Sequence, residues 1–368
     1  MPRALVGEAY HMSQQPLVTV LMSVYNDTEF LPGAIDSILR QTLTDFEFLI
    51  IDDGSTDETA ARLAAFTDPR IRLVRNPTNL GLTLSLRRGV ELALGRYIAR
   101  LDADDLCLPD RLRKQVAFLE RHPELALLGG ACQFIDSEGN LLEFQPQPET
   151  DLEIRWFSFL ANPFLHSTTM FRREVLLEHQ LNYDAAYRTA QDYDLWTRLL
   201  EYAKGANLPE ALIYYRIRHG ITWKKKQEQL NNAFLIAFRM VQQELPGMKI
   251  DRQQFTSLWT LFFVDHGRSH GNRKDWVAAC ELYRKLFKCF ADKYRNRDSL
   301  GRVRREQGIA VMRSVVRSWF PPGWVRILSE VICEDPWLPA AFGFHLVRAA
   351  ARLGKSSMLK RAKDSNLL

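Results

Sequence analysis

The sequence predicts an α/β protein: a doubly wound, mainly parallel sheet with flanking helices, followed by a mostly α-helical module. Three observations predict it. Near-continuous apolar runs alternate with stretches of helical spacing through the N-terminal part of the chain. Two of those runs end in clustered aspartates. Beyond Trp223 the strand-like runs give way to long helical patterns.

Taken in order, "LVTVLMSVY" (17–25) is apolar throughout and rich in β-branched residues, as expected of a strand buried on both faces. Leu31, Ala34, Ile35, Ile38 and Leu39 then mark one face of a helix. "FEFLIIDDGSTDE" is a second strand running into two acids and a glycine, with Ser55 and Glu58 spaced as a capping box for the next helix. "IRLVRN" is a third strand, Leu86, Val90, Ala93 and Leu94 a helix, and "YIARLD" a fourth strand. Pro109 is placed as a first-turn residue of a helix reaching His122, and "LALLGGACQFID" reads as a strand. Residues 140–165, with three prolines, look looser. "HSTTMFRREVL" and "ALIYYRIR" are strand-like around a helical "AQDYDLWTRLLEYAKG". In the last third, Leu230, Phe234, Ala237, Phe238, Val241 and Leu245 keep helical spacing, as do Trp276, Cys280, Tyr283, Phe287 and Phe290. A boundary is expected near residue 224.

At 368 residues the chain has room for one large domain and an accessory one. Its composition, 46% hydrophobic and 25% charged, is that of a soluble globular protein. The net charge of +5 is compatible with anionic partners but too small to select one, and no motif supports nucleic-acid binding. Five scattered cysteines without a C-x-x-C pair read as reduced thiols, hence a cytoplasmic protein. The first residues lack the apolar core of a signal peptide, and no apolar run reaches the length of a membrane span.

The chemistry concentrates in "YIARLDADDLCLPDRL" (97–112), where Asp102, Asp104 and Asp105 crowd into four positions. Carboxylates that close repel one another, and a chain that keeps them together usually has a cation or a metal-bound phosphate to hold. Asp102 and Asp104, two apart at a strand end, are expected to send their carboxylates to one side. Both this cluster and Asp52/Asp53 fall at strand carboxyl ends, where open α/β sheets bind ligands. Mg²⁺ or Mn²⁺ would suit such oxygen ligands.

Four segments resemble the family 2 glycosyltransferases, which have the GT-A fold. They are "VTVLMSVYNDTEFLPGAIDSILRQTLTDFEFLIIDDGSTDET", "NLGLTLSLRRGVELALGRYIARLDADDLCLPDRLRKQ", "NPFLHSTTMFRREVL" and "QDYDLWTRL", in the family's order over roughly residues 16 to 222. The resemblance implies a GT-A catalytic domain over 16–223; a flexible tail over 1–15 precedes it, and a helical, basic accessory region over 224–368, read from helical spacing alone and outside the resemblance, follows. It also implies inverting transfer of a sugar from a nucleotide-diphosphate donor, of the UDP class, to a hydroxyl of a glycan or lipid-linked glycan. Asp104 is then a metal ligand, and Asp102 a second ligand or a ribose contact. Asp53 is the base-binding aspartate, with Ser23 and Tyr25 lining the nucleotide pocket and Arg100 balancing phosphate charge. Asp192 matches the catalytic base, which takes the proton of the acceptor hydroxyl. Gln191 beside it and His166 fall on the acceptor and donor-sugar side. Asp194, two positions on, is expected to point elsewhere.

A plainer reading stands beside each of these. Asp52 and Asp53 could simply begin the Gly54–Ser55 turn, Asp105 could cap a helix, Arg100 could pair with a neighbouring acid, and His166 could be a satisfied core histidine. The chain also departs from the family pattern: Gln191 stands where Glu is usual, Arg87 where Asn is common, and Arg218 where a metal-binding His often lies, leaving His219, one position late, as either a metal ligand or a loop histidine near the diphosphate. The aromatics Trp259, Phe262, Phe263 and Trp276 are expected in core. "WKKK" and the basic stretches 302–317 and 346–363 are either a solvated face or a surface for anionic lipid at the inner face of a bacterial cell membrane. Two other functions compete. A nucleotidyltransferase would carry a glycine-rich basic loop after the first strand, which "SVYNDTEF" lacks; a non-catalytic, degenerate relative would not keep Asp53, Asp104 and Asp192 together.

Overall fold

The apolar run at 17–25 becomes β1 (Val18–Val24), buried along its whole length. In the structure, a computed structural model describing residues 15–218, 223–259, 273–295 and 300–304, the elements that follow are α1 (Leu31–Leu39), β2 (Phe46–Asp52), α2 (Thr59–Ala64), β3 (Ile71–Arg75), α3 (Leu82–Leu92), β4 (Tyr97–Arg100) and β5 (Leu106–Cys107). Then come α4 (Arg111–Arg121), β6 (Leu125–Ile135), β7 (Leu141–Gln145), α5 (Asp151–Phe157), β8 (Met170–Arg172), α6 (Arg173–Glu178), α7 (Gln191–Leu199) and β9 (Lys204–Arg216).

These strands form one sheet in the order β3-β2-β1-β4-β8-β6-β9-β5, with β7 paired to β6. The first four are mutually parallel; β8 joins β4 and β6 antiparallel, and β6 and β9 are parallel again. Alternation along each strand feeds two separate cores. Val18, Val20, Met22 and Val24 of β1 pack with Phe46, Phe48 and Ile50 of β2 against Leu31, Ala34, Ile35 and Ile38 of α1. Leu21, Leu49 and Ile51 face the other way, toward Leu86 and Val90 of α3. Helices on both faces are why these strands read as unbroken apolar runs rather than alternating ones.

Register decides where function can sit. Val24 lies opposite Asp52, and Leu21 opposite Arg100, so the carboxyl ends of β1, β2 and β4 open at one edge. That is the edge at which both acidic clusters stand.

Several local expectations need correction. Ser55 does not cap α2, whose N-cap is Glu58 with no side-chain bond; the Ser55 hydroxyl instead accepts from the Asn26 amide at 3.1 Å. Asp105 does not cap a helix either: α4 starts from Asp110, with Pro109 just ahead of it, and Asp105 accepts from the Arg216 amide at 2.9 Å. "HSTTMFRREVL" is a 3-10 turn (His166–Thr168), the short β8 and α6, rather than one strand. Residues 140–165 hold β7 and α5 despite their prolines, and α5 opens on a capping box from Thr150 and Glu153.

A second compact unit begins at Phe238, the first running through Ala237. Helices α8 (Trp223–Glu244), α9 (Arg252–Trp259) and α10 (Arg273–Lys293) give the described residues of this region their helical character. Within the second unit Phe255, Leu258, Cys280, Tyr283, Leu286 and Phe290 are buried, and Trp259 is core as expected. Phe262 and Phe263 lie outside the described residues.

Gly95, ahead of β4, supplies a stringent test of this packing. A Cβ there would stand 2.3 Å from the Thr19 amide nitrogen and 2.6 Å from the Val18 carbonyl carbon, both backbone of the central strand. Backbone cannot rotate away as a side-chain end can, so Gly95→Ala should cost about 3 kcal/mol. Urea unfolding followed by circular dichroism would read this; an unchanged midpoint would contradict the β1–β4 approach.

Candidate active site

The D-x-D segment sits in a turn. β4 stops at Arg100, so Asp102 and Asp104 lie past the strand, and the alternation that was expected to align them does not apply. They face different partners. One oxygen of Asp102 takes a hydrogen bond from the Arg100 guanidinium, and the other takes one from the Ser167 hydroxyl at 2.7 Å. The Ser167 oxygen in turn accepts from the Asp102 amide at 3.0 Å. Asp104 instead meets Arg218, its Oδ2 2.7 Å from Nε.

Charge balance differs across the three acids. Burial is the largest single influence on Asp102 and opposes its ionisation, but Arg100, His166 and the Ser167 hydroxyl together outweigh it and hold the carboxyl below the usual range. Asp104 is pushed up, first by burial and then by Asp102. Asp105, almost fully enclosed, is pushed well up by burial and by both neighbours. Arg100 is completely buried, so it compensates the cluster from within the sheet, the second of the two readings open for it.

A second carboxylate approaches from another part of the chain. Asp192 lies in the first turn of α7, entered through Ala190 at φ 56° and ψ 23°, a left-handed conformation unusual for alanine. Its Oδ2 accepts from Nδ2 of Asn162 at 2.7 Å, and the Asn162 amide is oriented by accepting from the Phe164 N–H at 3.2 Å. Burial raises the Asp192 carboxyl to about 6, against the Tyr193 amide and Asn162, which favour the ionised form. Gln191 is buried beside it. Asp194 turns away as expected, pairing with Arg198 at 2.6 Å.

The two acidic regions share surroundings. Asp102, Asp104, Asp105 and Asp192 all act on the phenol of Tyr215, which burial and these charges push far up. Tyr183 senses Asp192 and Asp102, and its hydroxyl lies 2.8 Å from Nε2 of His166. His166 is half-buried and held neutral by burial and by Arg100, its pKa down to about 3. A neutral imidazole bonded to Tyr183 and edge-on to Trp196 at 6.1 Å supports the packing reading of this residue.

Toward β2 the structure assigns tasks the sequence reading did not foresee. Asp53 is buried, and its carboxylate accepts from Asn76 Nδ2 at 2.7 Å, from the Leu80 amide at 2.9 Å and from the Gly81 amide at 2.8 Å. It thus staples the 76–81 segment, using three of about four acceptor positions on a carboxylate. Asp52 accepts from the Ser55 amide at 2.9 Å. Ser23 is buried near the end of β1, while Tyr25, just past it, is exposed. His219 lies outside the described residues. Asn162, Ser167, Tyr183 and Tyr215 were missed; Asn162 and Ser167 stand inside "NPFLHSTTM", but no spacing rule connects them to an acid elsewhere. Among the described residues no group of three His, Cys, Asp or Glu side chains is arranged to hold a metal, and no helix is long and apolar enough to cross a membrane.

The class defined so far is a ligand-binding α/β protein, with acids from two chain segments gathered near the carboxyl edge of its sheet, where such sheets bind ligands. Comparison makes this specific. The family model described as glycosyl transferase family 2 matches residues 19–179. An uncharacterised glycosyltransferase of Methanocaldococcus jannaschii is 37% identical over 58% of this chain and 73% of that protein. The amylovoran biosynthesis glycosyltransferase AmsE of Erwinia amylovora is 32% identical over 58% and 84%. Among solved structures, S. aureus TarS 1–349 in complex with UDP-GlcNAc superposes with a TM-score of 0.54 at 14% identity, covering 85% of this chain and 90% of that one. The mannosyltransferase PcManGT from Pyrobaculum calidifontis, in complex with GDP-Man and Mn²⁺, gives 0.51 at 18% identity over 88% of each chain. The chain belongs to glycosyl transferase family 2 and has the GT-A fold.

The staple role of Asp53 separates stability from binding. Asp53→Ala strands two backbone N–H groups and one N–H of the Asn76 amide, whose Nδ2 keeps its 2.7 Å bond to Ser85, and should cost about 3 kcal/mol in denaturant unfolding without any ligand. If that midpoint is unmoved, Asp53 has no structural role.

Proposed function

We propose that this glycosyltransferase moves a sugar from a nucleoside-diphosphate donor to an acceptor hydroxyl with inversion, Asp192 taking the hydroxyl proton. The observation that carries the reading is Asp192 itself: a half-buried carboxylate near pKa 6, aimed by Asn162, in the same electrostatic environment as the D-x-D turn. A base tuned there is ionised at neutral pH yet more basic than a free carboxylate. One base opposite one leaving group gives a single in-line displacement.

The remaining residues divide the work. Asp53, fixing the 76–81 segment, keeps one acceptor position for the imide of a base, with Ser23 and Tyr25 beside it at the ends of β1 and β2. Uridine is the first candidate, supported by the UDP-GlcNAc complex of TarS, while the GDP-Man complex shows that this fold accepts guanosine elsewhere. Asp104 fits Mg²⁺ or Mn²⁺. It offers oxygen donors in a crowded anionic turn and already faces a cationic partner, and such ions draw most of their ligands from phosphate and water. When bound, the metal supplies positive charge against the departing diphosphate. Asp102, locked to Arg100 and Ser167, holds the turn in place.

The product class in this reading is a polysaccharide, capsule, O-antigen or glycolipid, which the amylovoran and O-antigen biosynthesis names of two relatives support, and the reaction takes place at the inner face of a cell membrane. Lys225 and Lys226 are exposed at the start of α8, so co-sedimentation with phosphatidylglycerol vesicles at low salt tests the membrane part; equal recovery with neutral vesicles would remove it.

The central test is a panel of nucleotide sugars with Mn²⁺, scored by nucleotide release. Asp192→Asn should lower turnover by about a thousandfold while donor binding by calorimetry stays near wild type. Equal loss of binding and turnover would sink the assignment. Because the base must be ionised, kcat/KM should rise with pH through a limb near 6 and flatten above it. A profile flat from pH 5 to 8 would exclude Asp192 as base.

A further inference from the structure

Arg218 stands where the family often has a metal-binding histidine, and the structure shows what it does there. Its Nε lies 2.7 Å from Asp104 Oδ2, its Nη2 pairs with Asp27, and its guanidinium sits 4.7 Å from the centroid of the Phe30 ring. Arg216, two residues earlier, stacks on the same ring at 4.3 Å and donates through Nε to the Asp104 carbonyl at 3.0 Å. Arg216 therefore fixes the backbone of the acidic turn, and Arg218 pairs with its Asp104 carboxylate. Side chains of Asp27, from the loop after β1, and Asp104, from the loop after β4, are joined through this one cation.

We propose that Arg218 is a resident counter-cation of the Asp27–Asp104 acid pair, which a divalent ion must displace from Asp104, so that Arg218 keeps metal affinity low until a nucleotide diphosphate arrives. This rests on reading Asp104 as the metal ligand. A guanidinium is permanently charged and weakly hydrated, so it does not leave by losing its proton. A divalent ion taking Asp104 gives up that ion pair and stands beside a displaced positive charge. An incoming diphosphate carries enough negative charge to accommodate both, which couples metal and nucleotide binding reciprocally.

The experiment titrates Mn²⁺ alone into the full chain by calorimetry, in wild type, Arg218→Met, Arg218→Lys and the Arg218→Met/Asp104→Asn double variant. Thermal unfolding in EDTA and in Mn²⁺ accompanies each titration. Arg218→Met should bind Mn²⁺ about tenfold or more tightly than wild type, Arg218→Lys should stay near wild type, and the double variant should lose the gain. Arg218→Met should also melt lower in EDTA and recover in Mn²⁺. Equal affinity in wild type and Arg218→Met, Arg218→Lys behaving like Arg218→Met, or a lowered melting point that Mn²⁺ does not restore would each overturn the proposal while leaving Asp104 as a ligand. No binding in any variant, with UDP added as well, would overturn the metal reading too.

Discussion

Everything at the carboxyl edge of this sheet depends on holding three carboxylates within four residues against their own repulsion. Coulomb energy between like charges a few ångströms apart is several kcal/mol at the effective dielectric of a protein surface, about 4 at 4 Å. The chain meets this with arginines on two sides. Arg100 reaches Asp102 from inside the sheet, Arg216 anchors the turn's backbone, and Arg218 meets Asp104 from the rim. Each comes from a different part of the chain than the acid it serves, except Arg100. The turn is therefore a product of tertiary structure, since neither β4 nor the loop after it would keep this shape alone.

The same economy links this turn to the base on α7. Ser167 fixes Asp102, and Asn162, five residues earlier in the same segment, fixes Asp192. One short stretch between α5 and β8 thus positions both the residue beneath the acidic turn and the residue on the opposite helix. A shift of that stretch would move both together, preserving their relation better than two independent supports would.

Much of this was legible in the sequence. The buried strands could be read from "LVTVLMSV" and "FEFLIID" because sheets covered on both faces demand unbroken apolar runs. The carboxyl-edge placement of Asp53, Asp102 and Asp104 followed from their position directly after apolar runs in a predicted parallel sheet. What escaped was whatever depended on partners distant in sequence. Asp53 reads as a ligand-facing acid until Asn76, Leu80 and Gly81 are seen to claim it. Arg218 reads as a departure from a family pattern until Asp27 and Asp104 are seen on either side of it. The two-residue β5 and the three-residue β8 carry too few side chains to show a period of their own, and only pairing reveals them. The capping box at Thr150 and Glu153 was readable and overlooked, masked by the surrounding prolines.

The placement of β8 has a consequence for how the chain is made. Met170, Phe171 and Arg172 cover the flank of β4 that β1 leaves open, yet they are encoded some seventy residues after it. While a ribosome is still synthesising the intervening segment, β4 ends the growing sheet, with its hydrogen-bonding groups available to any passing strand. The fully buried Arg100 of that strand, which balances Asp102 in the finished protein, then has a second use. An inward charge on a provisional sheet border discourages pairing with neighbouring nascent chains until the rightful strand emerges.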